Sequence, residues 1–132
     1  MSVVREMYYA ALEHGPQILV DRYQQWFAED FKWTPILASS LDGRVYHGEA
    51  EFTEYWEEFL AAFTDIELGE GDLEAVDDET VLVTAELRVK GIGSGVPIDR
   101  MVAYLFQVRD GLITSGRTFF SPGDAREYLA SA

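Results

Sequence analysis

A stretch near the end of the chain, RMVAYLFQVRDGLITSGRTFF from Arg100 to Phe120, predicts two strands joined by a tight turn. Asp110-Gly111 is a dipeptide that such turns favour, because glycine adopts positive φ freely and aspartate nearly so. Both arms carry apolar side chains on both faces, whereas a hairpin with one face in water should alternate cleanly. The second face must therefore be covered, and another chain, a helix and a small molecule are the candidates.

Length and composition predict one folded domain over residues 1–132. A hydrophobic fraction of 48% excludes global disorder, and no apolar run approaches the roughly 18 residues of a membrane-spanning helix. The first residues carry charge and lack the apolar segment of a secretory signal. The absence of cysteine excludes disulfides and thiolate chemistry. We therefore expect a cytoplasmic protein that does not associate with a membrane.

The charge of the chain disfavours one class of partner. Asp and Glu outnumber Lys and Arg by 24 to 10, which leaves a formal net charge of −14 at pH 7. Such a surface repels phosphate backbones, and the basic residues are scattered singly rather than gathered in a patch. Nucleic-acid binding is therefore not expected, and the acidity is interpreted as serving solubility or adaptation to salt.

Three helices are predicted in the first half of the chain. Residues 2–13 have apolar side chains at helical spacing, with Ser2 as the cap. His14-Gly15 ends this helix, and Pro16 suits the first turn of a second helix, which reaches Phe27. Residues 49–63 form the third, and something large must meet its largely aromatic face. That face consists of Phe52, Tyr55, Trp56, Phe59, Leu60 and Phe63.

Strands dominate the rest of the chain. They are predicted at residues 31–37, at 66–76 with a break at Gly69 and Gly71, and at 80–90, 98–109 and 112–120. A short C-terminal helix follows Ser121. The order of helices followed by a four-strand antiparallel meander predicts an α+β fold in which helices cover one face of the sheet.

Motifs for phosphate or metal binding are not supported. The run Gly91-Ile-Gly-Ser-Gly95 lacks the Lys and Ser or Thr that complete a phosphate loop, and it lies between predicted strands rather than before a helix. His14 and His47 are far apart and have no ligand spacing. We therefore expect a supple loop at residues 91–95, no metal and no cofactor.

Several segments together resemble a known family. They are Tyr8-Tyr-Ala-Ala-Leu-Glu-His-Gly15, Phe27-Ala-Glu-Asp30, Tyr46-His-Gly48, the loop at residues 91–97 and Arg109-Asp-Gly-Leu-Ile113. The sequence is similar to the nuclear transport factor 2-like superfamily, and within it to SnoaL-like polyketide cyclase and ketosteroid isomerase relatives. The resemblance implies a cystatin-like cone: a curved antiparallel sheet wrapped around three N-terminal helices, with a short C-terminal helix and an apolar pocket at one end.

The resemblance also implies a homodimer formed through the outer face of the sheet. Met101, Ala103 and Leu105 would then face the partner chain, and the alternate residues of the same strand would face the pocket. The side chains expected to bind a substrate are Trp33, Thr34, Tyr55, Trp56, Phe59, Leu87, Val102, Phe106, Thr118 and Phe120.

The catalytic residues of ketosteroid isomerases are matched at only a few positions of this sequence. Tyr8 matches the oxyanion-stabilising tyrosine of ketosteroid isomerases, and Tyr104 stands in place of their second, protonated acid. Thr34 occupies the place of their general-base aspartate, and threonine cannot act as a base near neutral pH. His47, expected at the rim of the pocket, is the nearest alternative acid or base.

Two functions are consistent with these residues. One is an isomerase, cyclase or hydrolase acting on a small apolar or aromatic molecule, with Tyr8 as hydrogen-bond donor and Tyr104 assisting. The other is a non-catalytic module that binds a hydrophobic ligand or serves in dimerisation. The missing carboxylates favour the second, and a pair of tyrosines in an apolar pocket favours the first.

Overall fold

The computed structural model describes residues 2–35, 45–69, 71–92, 95 and 97–131. Within these residues the helices are α1 (Ser2–His14), α2 (Gln17–Asp21), α3 (Tyr23–Trp26), α4 (Gly48–Ala62) and α5 (Pro122–Ser131). The strands are β1 (Phe27–Thr34), β2 (Tyr46–His47), β3 (Phe63–Leu68), β4 (Asp72–Asp77), β5 (Thr80–Gly91), β6 (Pro97–Arg109) and β7 (Leu112–Phe119).

The strands form one strongly curled, half-barrel sheet. Its order is β2-β1-β7-β6-β5-β3, and β4 also pairs with β5. The predicted α+β class, with helices inside a curved sheet and a short C-terminal helix, is confirmed. One pairing departs from the antiparallel expectation, because β1 and β7 run parallel. A parallel pair needs a long crossover, and the many residues between these two strands provide it.

The second predicted helix is divided. At Arg22 the backbone leaves the helical region, with φ −118° and ψ 30°, so α2 ends there and α3 begins. Phe27 is already extended and starts β1, earlier than the predicted strand at residues 31–37. Residues 36 and 37 of that prediction lie outside the described residues. The sequence of residues 41–48 also predicts a turn and loop, and positions 41–44 of it lie outside the described residues, as do Gly93 and Ser94 of the glycine-rich run.

The strand predicted at residues 66–76 is two strands. β3 pairs with the C-terminal half of β5, and β4 pairs with its N-terminal half along the same edge. Between them, a Cβ atom at Gly71 would lie 2.9 Å from the hydroxyl oxygen of Tyr8. The glycine break therefore does more than loosen the strand, because it makes room for a side chain from α1.

The hairpin turn has the geometry that the sequence predicts. Asp110 has φ 54° and Gly111 has φ 79°, as a two-residue turn with positive φ at both positions requires. The inner face of the hairpin packs into the large core between the sheet and the helices, where Phe106 and Ile113 are buried. The helices therefore cover the inner face of the hairpin, and a small molecule bound at this face would lie between the sheet and the helices.

The chain's own C-terminal helix covers part of the hairpin's outer face. Ala125 of α5 packs with Ala103, Leu105 and Leu82 in a second, smaller core. Ala103 and Leu105, expected to face a partner chain, are thus buried within the same chain, whereas Met101 is 48% exposed. The homodimer itself stays a prediction.

No helix of the described residues is long and apolar enough to cross a membrane. The cytoplasmic location stays a prediction.

Candidate functional site

A cavity of about 650 Å³ lies between the concave face of the sheet and the helices. Helices α1 and α4 and strands β1, β5, β6 and β7 all contribute side chains to its wall. Every residue that the sequence predicted for the site lines this cavity, with the exceptions of Thr34 and His47. The aromatic stripe of α4 and the inward-facing row of β6 are therefore brought together, although they are distant in sequence.

Thr34 is buried but does not line the cavity. Its neighbour Trp33 does, and adjacent residues of a strand point to opposite faces. A side chain at position 34 is therefore turned away from a bound molecule.

His47 also lies outside the cavity wall. It is exposed on the short strand β2, opposite Lys32 of β1. Its backbone N–H donates a hydrogen bond to Oε1 of Glu51 at 3.2 Å, near the start of α4. His47 therefore lies at the beginning of α4 and does not line the cavity.

Tyr8 extends from α1 to the break between β3 and β4. Its hydroxyl donates a hydrogen bond of 2.6 Å to the backbone oxygen of Gly69. A phenol has only one hydrogen to donate, so in this arrangement Tyr8 offers a ligand its oxygen lone pairs and no proton. The expected role of Tyr8 as an oxyanion donor would require this bond to open.

Three tyrosines of the cavity wall remain protonated at neutral pH. Burial raises the pKa of Tyr8 above its usual range, and nearby Tyr104 adds to this effect. Burial likewise raises the pKa of Tyr104, with a contribution from Tyr55. The pKa of Tyr55 is raised by burial too, although the indole of Trp33 opposes the shift. Because the neutral form is favoured, these phenols suit hydrogen bonding and not proton abstraction.

Tyr104 stands beside other polar groups that point to a ligand. It is paired with Thr118 across β6 and β7. Within the described part of the chain, the buried hydroxyl of Thr118 and the buried indole N–H of Trp56 have no hydrogen-bond partner. A buried polar group without a partner costs about 1–3 kcal/mol, and both of these residues belong to the cavity wall. The cavity thus combines apolar walls with a few unsatisfied groups.

The innermost wall includes residues that sequence reasoning did not assign to the site. Phe27, Phe31 and Phe52 line the cavity in mutual ring contact, with centroids 4.5–5.3 Å apart. The aromatic stripe of α4 signalled Phe52. The sequence predicted Phe27 in a helix, so it did not indicate that Phe27 begins β1 and faces the cavity.

Gly116 of β7 shapes this part of the wall. A Cβ atom there would lie 3.0 Å from ring atoms of both Phe106 and Trp33. Glycine in a strand often marks such a close approach.

We expect Gly116→Ala to destabilise the protein by about 1–3 kcal/mol, because the added methyl group overpacks the rings. Backbone entropy alone would predict that the substitution stabilises the protein, since alanine loses less backbone entropy than glycine on folding. Urea unfolding would measure the change. Gly123→Ala is the control, because a Cβ atom there would be 3.7 Å from its nearest neighbour, and it should be neutral or stabilise by up to about 1 kcal/mol. Equal stability of the two variants would contradict the steric argument.

Two charged residues at the edge of the cavity were also missed. Arg100 of β6 and Glu67 of β3 both line it and are exposed, which places them near its opening. Arg100 shares a strand face with Val102 and Tyr104, so the period-two pattern already contained this signal. Among the described residues, no three His, Asp or Glu side chains are grouped so that they could hold a metal ion.

Comparisons with known proteins agree with this architecture. An NTF2-like protein of unknown function from Burkholderia pseudomallei K96243 has a TM-score of 0.75 at 18% identity, covering 96% of this chain and 94% of that chain. A candidate SnoaL-like polyketide cyclase from Jannaschia sp. CCS1 has a TM-score of 0.74 at 16% identity, covering 99% and 94%. TerC, co-crystallised with polyporic acid, has a TM-score of 0.73 at 14% identity, covering 98% and 96%. At these identities the likeness concerns the fold.

No curated protein matches the sequence. The SnoaL-like domain family, in contrast, matches residues 4–116, which include most of α1, all of α4 and most of the sheet. The chain therefore belongs to the SnoaL-like family.

Proposed function

We propose that the protein binds a small, flat, mostly apolar molecule that carries a hydrogen-bond-accepting oxygen. The observation that supports this most strongly is the pairing of an aromatic cavity of about 650 Å³ with unsatisfied donors in its wall. Ligand sites of this kind are mostly apolar and hold a few polar groups that orient the ligand.

The aromatic wall favours a ring compound. Trp56 contacts Tyr55 and Phe59 edge-on, with ring centroids 5.2 and 5.3 Å apart. Rings in this arrangement present both faces and edges, which pack well against another ring system. TerC, which shares the fold, was crystallised with polyporic acid.

The polar groups favour an oxygen acceptor on that ring compound. The indole N–H of Trp56 can only donate, and the hydroxyls of Thr118 and Tyr104 can donate as well. The side chain of Tyr104 lines the cavity, and burial keeps its hydroxyl protonated by raising its pKa. A carbonyl oxygen would accept from such donors.

A second candidate, an isomerase or cyclase, is favoured by the same protonated phenols. Donors aimed at an oxygen that gains negative charge stabilise enolate-like transition states. Tyr104 suits this role better than Tyr8, whose proton is engaged by Gly69. A general base is less evident, because Glu67 is the single carboxylate among the described residues of the wall, and it lies 4.0 Å from Arg88 in an ion pair. Ligand binding is accordingly the primary proposal.

The test compares 2-acetonaphthone with 2-ethylnaphthalene, which has the same ring and no oxygen. The natural protein should bind the ketone more tightly, and Tyr104→Phe should reduce this preference about three- to tenfold, the usual worth of one hydrogen bond. Calorimetry or tryptophan fluorescence would supply the dissociation constants.

Tyr128→Phe is the matched control, because Tyr128 is 42% exposed and does not line the cavity. It should leave both dissociation constants unchanged. If neither compound binds the natural protein, the proposed function is wrong. If both bind equally, the cavity accepts ring compounds, but the hydrogen-bonding part of the proposal fails.

A further inference from the structure

We propose that Arg100 makes this cavity selective for ring compounds that carry an anionic group, such as a carboxylate. The inference rests on the proposed function, because it names the chemical class of ligand for the same cavity. Its support comes from the position of Arg100, from the absence of a carboxylate partner among the described residues and from the charges around it.

Arg100 belongs to the inward-facing row of β6. Val102, Tyr104 and Phe106 follow it on the same face, and all of them line the cavity. The guanidinium carbon of Arg100 lies 5.0 Å from the ring centroid of Phe120, another residue of the wall. A cation held over an aromatic face is attracted to it, and the contact keeps this flexible side chain at the cavity opening.

Among the described residues, no carboxylate forms an ion pair with Arg100. No carboxylate of the described residues lies within 4.0 Å of its guanidinium. Arg88 on the adjacent strand β5 is by contrast paired with Glu86 at 2.7 Å and with Asp99 at 3.3 Å. An arginine fork matches a carboxylate well, so Arg100 remains available for a ligand anion.

The charges around Arg100 determine what its guanidinium can contribute to binding. The chain has a net charge of −14, which by itself repels anions. Glu67, the other charged residue of the described wall, is engaged by Arg88. A preference for an anionic ligand would therefore have to come from Arg100, and removing its charge should abolish or reverse that preference.

The spacing along β6 indicates the length of the ligand. Arg100 and Tyr104 are four residues apart on one face, which separates their Cα atoms by roughly 13 Å at the usual rise of a strand. An anion at Arg100 and an acceptor oxygen at Tyr104 would sit at opposite ends of one molecule. A ring system about two fused rings long, with a polar group at each end, fits this separation.

The test uses 6-acetyl-2-naphthoate and its methyl ester, which differ in charge and share the ring and the ketone. The natural protein should bind the acid more tightly. Arg100→Gln should weaken binding of the acid about three- to fivefold, the upper part of the range for one charge pair near the surface, and should change binding of the ester less than about twofold. Calorimetry at fixed ionic strength measures both, and added salt should weaken the acid selectively.

Arg109→Gln is the matched control, because Arg109 is exposed on the same strand and is not part of the cavity wall. It should leave the ratio of the two dissociation constants unchanged. If the natural protein binds both compounds equally, or if Arg100→Gln weakens both alike, the inference is overturned while the proposed function stands. If neither compound nor 2-acetonaphthone binds, the proposed function fails and this inference fails with it.

Discussion

The free energy of unfolding should fall steeply above pH 10. A tyrosine whose pKa is raised by folding contributes stability that is fully present below its unfolded pKa of about 10 and is lost as the pH rises towards the folded value. Tyr8, Tyr55 and Tyr104 have pKa values raised by burial, and burial raises the pKa of Tyr23 to about 12. Between its unfolded and folded pKa, each of these tyrosines should lower the free energy of unfolding by roughly 1 kcal/mol per pH unit. Together they should remove much of the stability of a small domain.

Urea unfolding at a series of alkaline pH values would measure this loss. Tyr104→Phe should flatten the decline by roughly 1 kcal/mol per pH unit, because phenylalanine has no proton to release on unfolding. Parallel curves for the natural protein and Tyr104→Phe would mean that this phenol ionises freely in the folded chain, and the assignment of Tyr104 as a protonated donor would fall with it.

Leu105→Ala should lower the free energy of unfolding by about 2–4 kcal/mol, the usual range for a buried leucine that leaves a cavity. Leu105 is 6% exposed and belongs to the small core formed with α5. The effect would show that the C-terminal helix is an integral cover of the outer sheet face. Chemical denaturation monitored by tryptophan fluorescence is the measurement.

Met101→Ala provides the comparison on the same strand and the same face. Because Met101 is 48% exposed, its truncation should change the stability of the monomer by less than about 0.5 kcal/mol. A large loss that depends on protein concentration would instead indicate that a second chain covers Met101, as the predicted homodimer requires. A small loss for Leu105→Ala would contradict the packing of α5 described above.

The elements predicted best from the sequence are those whose signal lies within a few residues. In β5, Val81, Val83 and Ala85 share one face of the strand, and all of them are buried against the core between the sheet and the helices. Asp110-Gly111 has the positive φ values that its composition favours. In such segments local periodicity and turn chemistry suffice, because the backbone responds mainly to its own side chains.

The candidate site was predicted in outline for the same reason. Once β6 was recognised as a strand, its alternation placed Val102, Tyr104 and Phe106 on one face, and the structure has them in the cavity wall. Trp33 and Thr34 show how far such reasoning reaches. Both were expected to face the substrate, yet neighbouring residues of a strand point to opposite sides, and only Trp33 lines the cavity.

By itself, then, the amino-acid sequence determined the helical and strand periodicities, the hairpin turn, the acidic charge and the SnoaL-like family. The tertiary structure decided which distant groups meet. Only the folded chain brings the hydroxyl of Tyr8 to Gly69, Gly116 against two rings and α5 over Leu105. Periodicity is a property of neighbouring residues, whereas these contacts depend on the curl of the sheet and the packing of segments far apart in the chain. That packing also brings Arg100 to the edge of the cavity, where no carboxylate of the described residues pairs with it.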